Sequence, residues 1–180
     1  TLLPVEEVYL EVHTVDSLID AIQRLAVRGP PALGTAGGYG VALAVHEGLR
    51  EHWASSAVTA AIDSVANARP TAVNLAWGAR RVETFVTEGF ERTLAEAHAI
   101  AIEDEQAYRE LSRLGADWLL ERVGNRPLRA VTHCNTGALA TTAWGTAYGI
   151  LHELHNRNRL ELVYVDETRP LLQGTRLTSW

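Results

Sequence analysis

The chain has 180 residues, of which 47% are hydrophobic and 21% charged, with a formal net charge of -6. Those values describe a chain able to bury a core rather than a disordered one, and they leave room for one ordinary domain or two small ones. An acidic balance gives no long-range pull toward nucleic acid or an anionic membrane, so neither is expected as a partner, and an anionic small molecule would need a local basic pocket. The single cysteine, Cys134, forbids an internal disulfide and fits a reducing compartment. No apolar run approaches the roughly 20 residues of a membrane span, and no signal-peptide pattern opens the chain, so a cytoplasmic location is expected.

In chain order, residues 5–12 partly alternate and carry Val5, Val8, Tyr9 and Val12, the pattern of a short strand or hairpin arm. Thr14 and Asp16 then supply helix-start chemistry, and Leu18, Ile22, Leu25 and Ala26 recur at helical spacing, which predicts a helix over 15–27. Arg28-Gly29-Pro30-Pro31 breaks it. A second helix is expected from about Pro31 to Gly48, because proline suits a first helical turn. Gly34, Gly37, Gly38 and Gly40 each cost that helix about 1 kcal/mol against alanine, so they imply close packing against a neighbour. A third helix fits 53–67. Another follows Arg69-Pro70-Thr71, its inner face marked by Ala72, Ala76, Ala79, Val82 and Val86. One long or two short helices fill 91–122.

The texture changes at Gly124-Asn125-Arg126-Pro127, a turn-rich stretch. Beyond it, Leu128–Thr132 reads as a buried strand, Asn135-Thr136-Gly137 as a tight turn, Ala138 to about Asn156 as a helix, and Leu162–Val165 as a second buried strand. A further helix opens near Arg176. Strand, helix, strand, helix is the order of a parallel α/β sheet. The expected fold is therefore α/β: a mainly helical N-terminal domain over 1–123, then the start of a parallel-sheet domain over 124–180. A helix beginning near Arg176 and stopping at Trp180 has barely one turn, so the natural protein is expected to continue.

Ligands of open α/β sheets sit at the carboxyl ends of the strands, and two polar clusters fall there: Thr132 to Gly137, and Asp166 to Pro170 followed by Gln173 and Arg176. With a helix expected just beyond it, Cys134 would meet unpaired amides and a helix dipole that favour a thiolate or cradle a phosphate; equally, it is a small core residue. His133 next to it suggests a dyad, but adjacent strand residues point to opposite faces, which favours a supporting role. Asp166 and Glu167 suit general acid–base work, a sugar hydroxyl or a turn cap. Gln173 and Arg176 suit phosphate or ordinary capping. Arg28 and Arg69 each precede a proline at an expected helix start, where a guanidinium fork suits phosphate; from the residues alone, ordinary surface arginine is the simpler reading. No metal-ligand spacing or phosphate-binding loop is present, and Gly34-Thr35-Ala36-Gly37-Gly38-Tyr39-Gly40 follows no strand, as a dinucleotide fingerprint must.

Four segments in order carry a resemblance. They are Val27–Gly34, Ala68–Leu75, Thr132–Ala140 and Val163–Gly174, the last reading Val163-Tyr164-Val165-Asp166-Glu167-Thr168-Arg169-Pro170-Leu171-Leu172-Gln173-Gly174. Together they resemble the methylthioribose-1-phosphate isomerase family, related to the initiation factor 2B subunits, with Pro30, Gly37 and Gly38 standing where alanines are usual. The resemblance implies a helical N-terminal domain and a Rossmann-like C-terminal domain, usually in a homodimer. It implies conversion of 5-methylthioribose 1-phosphate to 5-methylthioribulose 1-phosphate, in methionine salvage, with no metal or organic cofactor. It implies Cys134 as the catalytic cysteine, Arg28, Gly29, Arg69 and Gln173 as substrate contacts, and His133, Asn135, Asp166 and Glu167 as supporting residues. In that family a catalytic aspartate and a substrate-binding lysine come after the segment that ends here, so the 180 residues alone are expected to be inactive. Sibling isomerases acting on 5-deoxyribose 1-phosphate or ribose 1,5-bisphosphate, and a non-catalytic regulatory subunit of the same fold, are the alternative expectations.

Overall fold

A computed structural model describes residues 2–180. Its elements run α1 (Val15–Gln23), α2 (Pro30–Arg50), α3 (Ser55–Asn67), α4 (Val73–Glu83), α5 (Phe90–Val123), β1 (Leu128–Thr132), α6 (Ala147–Asn156) and β2 (Leu160–Val165). They form two compact units: Tyr9–Glu103, and Leu2–Val8 with Asp104–Trp180. The α/β reading holds. The units divide inside α5, ahead of the turn at 124–127. No helix among the described residues is long and apolar enough to cross a membrane.

The first unit is helical. Thr14 caps α1 through a reciprocal pair with Ser17: the Ser17 amide donates to Thr14 Oγ1 at 3.2 Å and the Thr14 amide to Ser17 Oγ at 3.1 Å. That leaves Val15, Leu18 and Ile22 to enter a core shared with Leu33, Val41, Ile62, Val65, Leu75 and Val82. The helix ends at Gln23, short of the expected 27, because Leu25 turns into the left-handed region at φ +62°. Pro30 and Pro31 occupy the first turn of α2, where their missing N–H groups cost nothing. α2 and α4 cross almost backbone to backbone. A Cβ on Gly78 would stand 1.9 Å from the Gly34 carbonyl oxygen, and one on Gly37 would stand 2.2 Å from that of Leu75. The glycine-rich α2 gives up helix propensity for this contact.

The second unit is the α/β part. β1 and β2 pair in parallel, with Leu128 opposite Leu160 and Thr132 opposite Val165, and α6 lies in the crossover between them. The C-terminal half of α5 belongs here because α6 packs on it through small residues. A Cβ on Gly115 would meet Ile150, and one on Gly149 would meet Ser112 Oγ at 2.4 Å.

Two expected elements take other forms. Residues 6–13 adopt no strand, and no strand pairs with them among the described residues; Val8 and Tyr9 are exposed. The helix expected from Ala138 begins only at Ala147. Before it lie a short 3-10 turn, Ala138–Ala140, and a loop in which Trp144 (φ +73°) and Gly145 (φ +95°) leave helical geometry. That loop folds back on residues 136–137: the Thr146 amide donates to the Thr136 carbonyl at 2.8 Å, and a Cβ on Gly145 would stand 2.8 Å from the same oxygen.

The α2–α4 crossing gives a paired prediction. Gly78→Ala forces the helices apart and should cost about 3 kcal/mol or more in urea denaturation. Gly34→Ala, whose Cβ meets only ordinary contacts at 3.5 Å, should be neutral or stabilising by up to about 1 kcal/mol. Equal effects from the two would contradict the described crossing.

Candidate functional site

The parallel pairing does not stop where the strands end. The Asp166 amide donates to the Thr132 carbonyl at 2.9 Å, one step beyond the ladder. Residues 133–137 therefore leave β1 beside residues 167–174 leaving β2, and the two polar clusters read from the sequence stand together at the carboxyl ends of the strands.

Cys134 lies two residues past β1 and is half-buried. Its backbone is in the left-handed region at φ +67°, uncommon for a residue with a side chain, and its carbonyl accepts a hydrogen bond from Thr178 Oγ1 at 2.6 Å. The helix start expected just beyond it is not there, since α6 opens at Ala147. The dipole argument for activating the thiol therefore does not apply to this structure. Because β1 ends at Thr132, strict strand alternation does not govern 133 and 134 either. His133 turns toward the other cluster, with its Nδ1 3.7 Å from Asp166 Oδ2 and both side chains more than half exposed.

Glu167 is a loop clamp. Its carboxylate accepts from the Thr168 amide at 2.8 Å, the Gly174 amide at 2.9 Å, the Thr175 amide at 3.2 Å and the Thr175 hydroxyl. The Thr175 hydroxyl first, and then these amides, favour the ionised form and draw its pKa from the ordinary 4.5 to about 2. Thr168 completes the loop: its hydroxyl donates to Gln173 Oε1, and its oxygen accepts from the Gln173 amide at 2.9 Å. Gln173 is thus held in place by a threonine that the sequence reading did not single out. Arg176 Nε donates to the Leu3 carbonyl at 3.2 Å.

Arg28, Gly29 and Arg69 belong to the first unit. Arg28 is half-buried and precedes Gly29, whose φ of +94° makes the turn into α2. Arg69 is also half-buried. Its proline does not open a helix: Pro70 sits in a turn closed by the Ala72 amide on the Arg69 carbonyl at 2.9 Å, and α4 starts at Val73.

Beside residue 134 the second unit holds a cavity of about 360 Å³, walled by Asn135, Leu139, Trp144, Tyr148, Leu177 and Thr178 among others. Asn135 Nδ2, Thr136 Oγ1 and Trp144 Nε1 are buried there or next to it with no hydrogen-bond partner. The Trp144 ring lies 4.6 Å from the His152 ring and 4.3 Å from the Arg109 guanidinium carbon. Trp144 was not singled out from the sequence, where Trp-Gly inside an expected helix was the only sign of a break. Among the described residues no group of three or more His, Cys, Asp and Glu side chains is arranged to hold a metal ion.

Comparison with known proteins places these features in context. Residues 26–180 match the profile of the Initiation factor 2 subunit family. A probable bifunctional methylthioribose-1-phosphate isomerase/methylthioribulose-1-phosphate dehydratase from Nocardia farcinica is 49% identical over 99% of this chain and 32% of its own length. A methylthioribose-1-phosphate isomerase from Anaeromyxobacter dehalogenans is 45% identical over 99% of this chain and 50% of its own length. Among solved structures, 5-methylthioribose 1-phosphate isomerase from Pyrococcus horikoshii superposes with a TM-score of 0.86 at 35% identity, covering 99% of this chain and 51% of that one. The delta subunit of translation initiation factor eIF-2B from A. fulgidus superposes with a TM-score of 0.83 at 38% identity, covering 99% and 54%. The chain spans about half the length of most of these relatives, and about a third of the bifunctional one.

The clamp makes a pH prediction. The folded Glu167 value lies below its unfolded one, so its contribution is fully present above pH 4.5 and is lost as the pH falls toward 2. Amide exchange at Gly174 and Thr175 should quicken across that window, and Glu167→Gln should make it fast and pH-insensitive there. A Glu167 midpoint near 4.5 by carboxyl NMR would contradict the clamp.

Proposed function

This chain belongs to the Initiation factor 2 subunit family, and from that premise we propose that it carries the N-terminal unit and the first part of the catalytic unit of an aldose–ketose isomerase acting on 5-methylthioribose 1-phosphate. The observation that carries the reading is the meeting of the Thr132–Gly137 and Asp166–Gly174 segments at the strand ends, in a chain 45% identical to a methylthioribose-1-phosphate isomerase. The product is 5-methylthioribulose 1-phosphate, and the protein works in the cytoplasm as a homodimer.

The chemistry sets the parts list. Phosphate on the anomeric carbon prevents the ring from opening as a free sugar does, so a proton donor has to assist departure of the ring oxygen. Hydrogen then moves from C2 to C1. Cys134 is the group on this chain assigned to proton handling, on a backbone held by Thr178 and next in sequence to Asn135, which lines a cavity. Arg28, Gly29, Arg69 and Gln173 bind the substrate, chiefly its phosphate, because a guanidinium fork and a backbone N–H match phosphate oxygens. Asp166 and His133 flank the cysteine loop, and Glu167 acts through Gln173 by fixing the loop that carries it.

A second reading has an observation of its own. The superposition on the eIF-2B delta subunit favours a non-catalytic regulatory subunit. Cys134 within an intact Thr132–Ala140 segment is the feature that weighs for the enzyme.

Both readings are tested in the complete protein. Wild type should form ketose from 5-methylthioribose 1-phosphate. Cys134→Ser should lower turnover by about 10³-fold or more, with the substrate dissociation constant changed by no more than about threefold. Binding lost in parallel with turnover would make Cys134 structural. Absence of turnover by wild type with this sugar, 5-deoxyribose 1-phosphate and ribose 1,5-bisphosphate would favour the regulatory subunit.

A further inference from the structure

The conformation of Cys134 is set by a residue 44 positions away. Its carbonyl accepts from Thr178 Oγ1 at 2.6 Å. A carbonyl oxygen lies in the plane of the peptide that follows its residue, so this bond sets ψ at Cys134. The φ of the same residue is +67°, a region that residues with side chains avoid. Together the two angles decide where Cβ, and the sulfur beyond it, points. Without an outside hold the backbone would return to a commoner region and carry the sulfur with it.

The hold is itself supported. Thr178 ends a wide helical turn, Gly174–Thr178, in which the Ser179 amide donates to the Gly174 carbonyl five residues back at 2.9 Å. Turns of that width are rare and are found mostly at functional sites. The head of the turn is fixed in two ways. Glu167 accepts from the Gly174 and Thr175 amides. Gly174 also lies so close to the end of β2 that a Cβ there would stand 2.6 Å from the Asp166 carbonyl oxygen. Toward the other end, Leu177 is buried. The turn is therefore anchored on the loop after β2 and delivers one hydroxyl to the loop after β1.

We propose that Thr178 is a positioning residue for the isomerase reaction: its hydroxyl pins the Cys134 peptide and so aims the thiol, and the turn clamped by Glu167 supports it. The proposal rests on the isomerase reading, which gives the sulfur its task. Thr178 acts through Cys134 and takes no part in the proton transfers. Glu167 then serves both segments of the site, fixing Gln173 in its own loop and Cys134 across the gap.

The test uses the complete protein. Thr178→Val removes the hydroxyl and keeps the shape. It should lower kcat for 5-methylthioribose 1-phosphate about tenfold or more, with the substrate dissociation constant within about threefold of wild type. In the free protein, alkylation of Cys134 by iodoacetamide, followed by peptide mass spectrometry, should quicken about fivefold as the released loop exposes the half-buried thiol. Thr178→Ser keeps the hydroxyl and should hold both readings within about threefold of wild type. A lower melting temperature with kcat and alkylation unchanged makes Thr178 structural and overturns the proposal. So does a Thr178→Ser variant as impaired as Thr178→Val. If Thr178→Val does not fold, Glu167→Gln takes its place, and an alkylation rate that does not rise there overturns the proposal. Wild type that turns over none of 5-methylthioribose 1-phosphate, 5-deoxyribose 1-phosphate and ribose 1,5-bisphosphate brings down the isomerase reading and the positioning role with it. Wild-type turnover with kcat and alkylation unmoved in Thr178→Val brings down the positioning role alone.

Discussion

One backbone hydrogen bond past the end of a two-stranded ladder, from the Asp166 amide to the Thr132 carbonyl, holds the candidate site together. Parallel strands need a crossover, so β1 and β2 are joined through α6 and emerge side by side in the same direction. The loops that follow must then leave together. That is why two motifs about thirty residues apart form one cluster, and why chemistry on this fold is built at the strand ends and not on the strands.

The loops are held by unequal means. The loop after β2 is fixed by charge: a single carboxylate, Glu167, gathers three amides and a hydroxyl, an arrangement that persists only while it is ionised. The loop after β1 is fixed by packing and strain. Among the described residues, six non-glycine residues have positive φ. Leu25, His52 and Asn158 follow the C-terminal ends of α1, α2 and α6, where left-handed geometry is the common way to stop a helix. Cys134, Trp144 and Leu172 follow no helix, and all three lie on the segments that build the site. Strain of that kind is tolerated where the surrounding contacts over-determine the backbone, as Thr178 does for Cys134 and the 136–146 contacts do for Trp144.

Local patterns were legible in the sequence to the extent that local physics decides them. The two prolines placed the start of α2, and its glycines announced a close neighbour, which is α4. The apolar runs 128–132 and 162–165 gave both strands. What escaped depended on partners distant in sequence. The alternation in 5–12 signals a surface fit for pairing but says nothing about whether a pairing strand is beside it. Small residues from 138 to 146 looked helical, yet Gly145 is there because the chain folds back onto Thr136, a contact that no periodicity records. Glu167 was open to acid–base, sugar-binding and capping roles; only the geometry of its four donors makes it a clamp. The helix dipole invoked for Cys134 belongs to a helix that starts only at Ala147, so that part of the argument for the residue does not hold.

The central question is whether the strand-end cluster is where a sugar phosphate binds. Titrating the complete protein with 5-methylthioribulose 1-phosphate and following backbone amide shifts by NMR tests this most directly. Cys134–Gly137 and Thr168–Thr175 should move most and saturate together. Saturating shifts confined to other parts of the chain, with both of these segments unmoved, would contradict it.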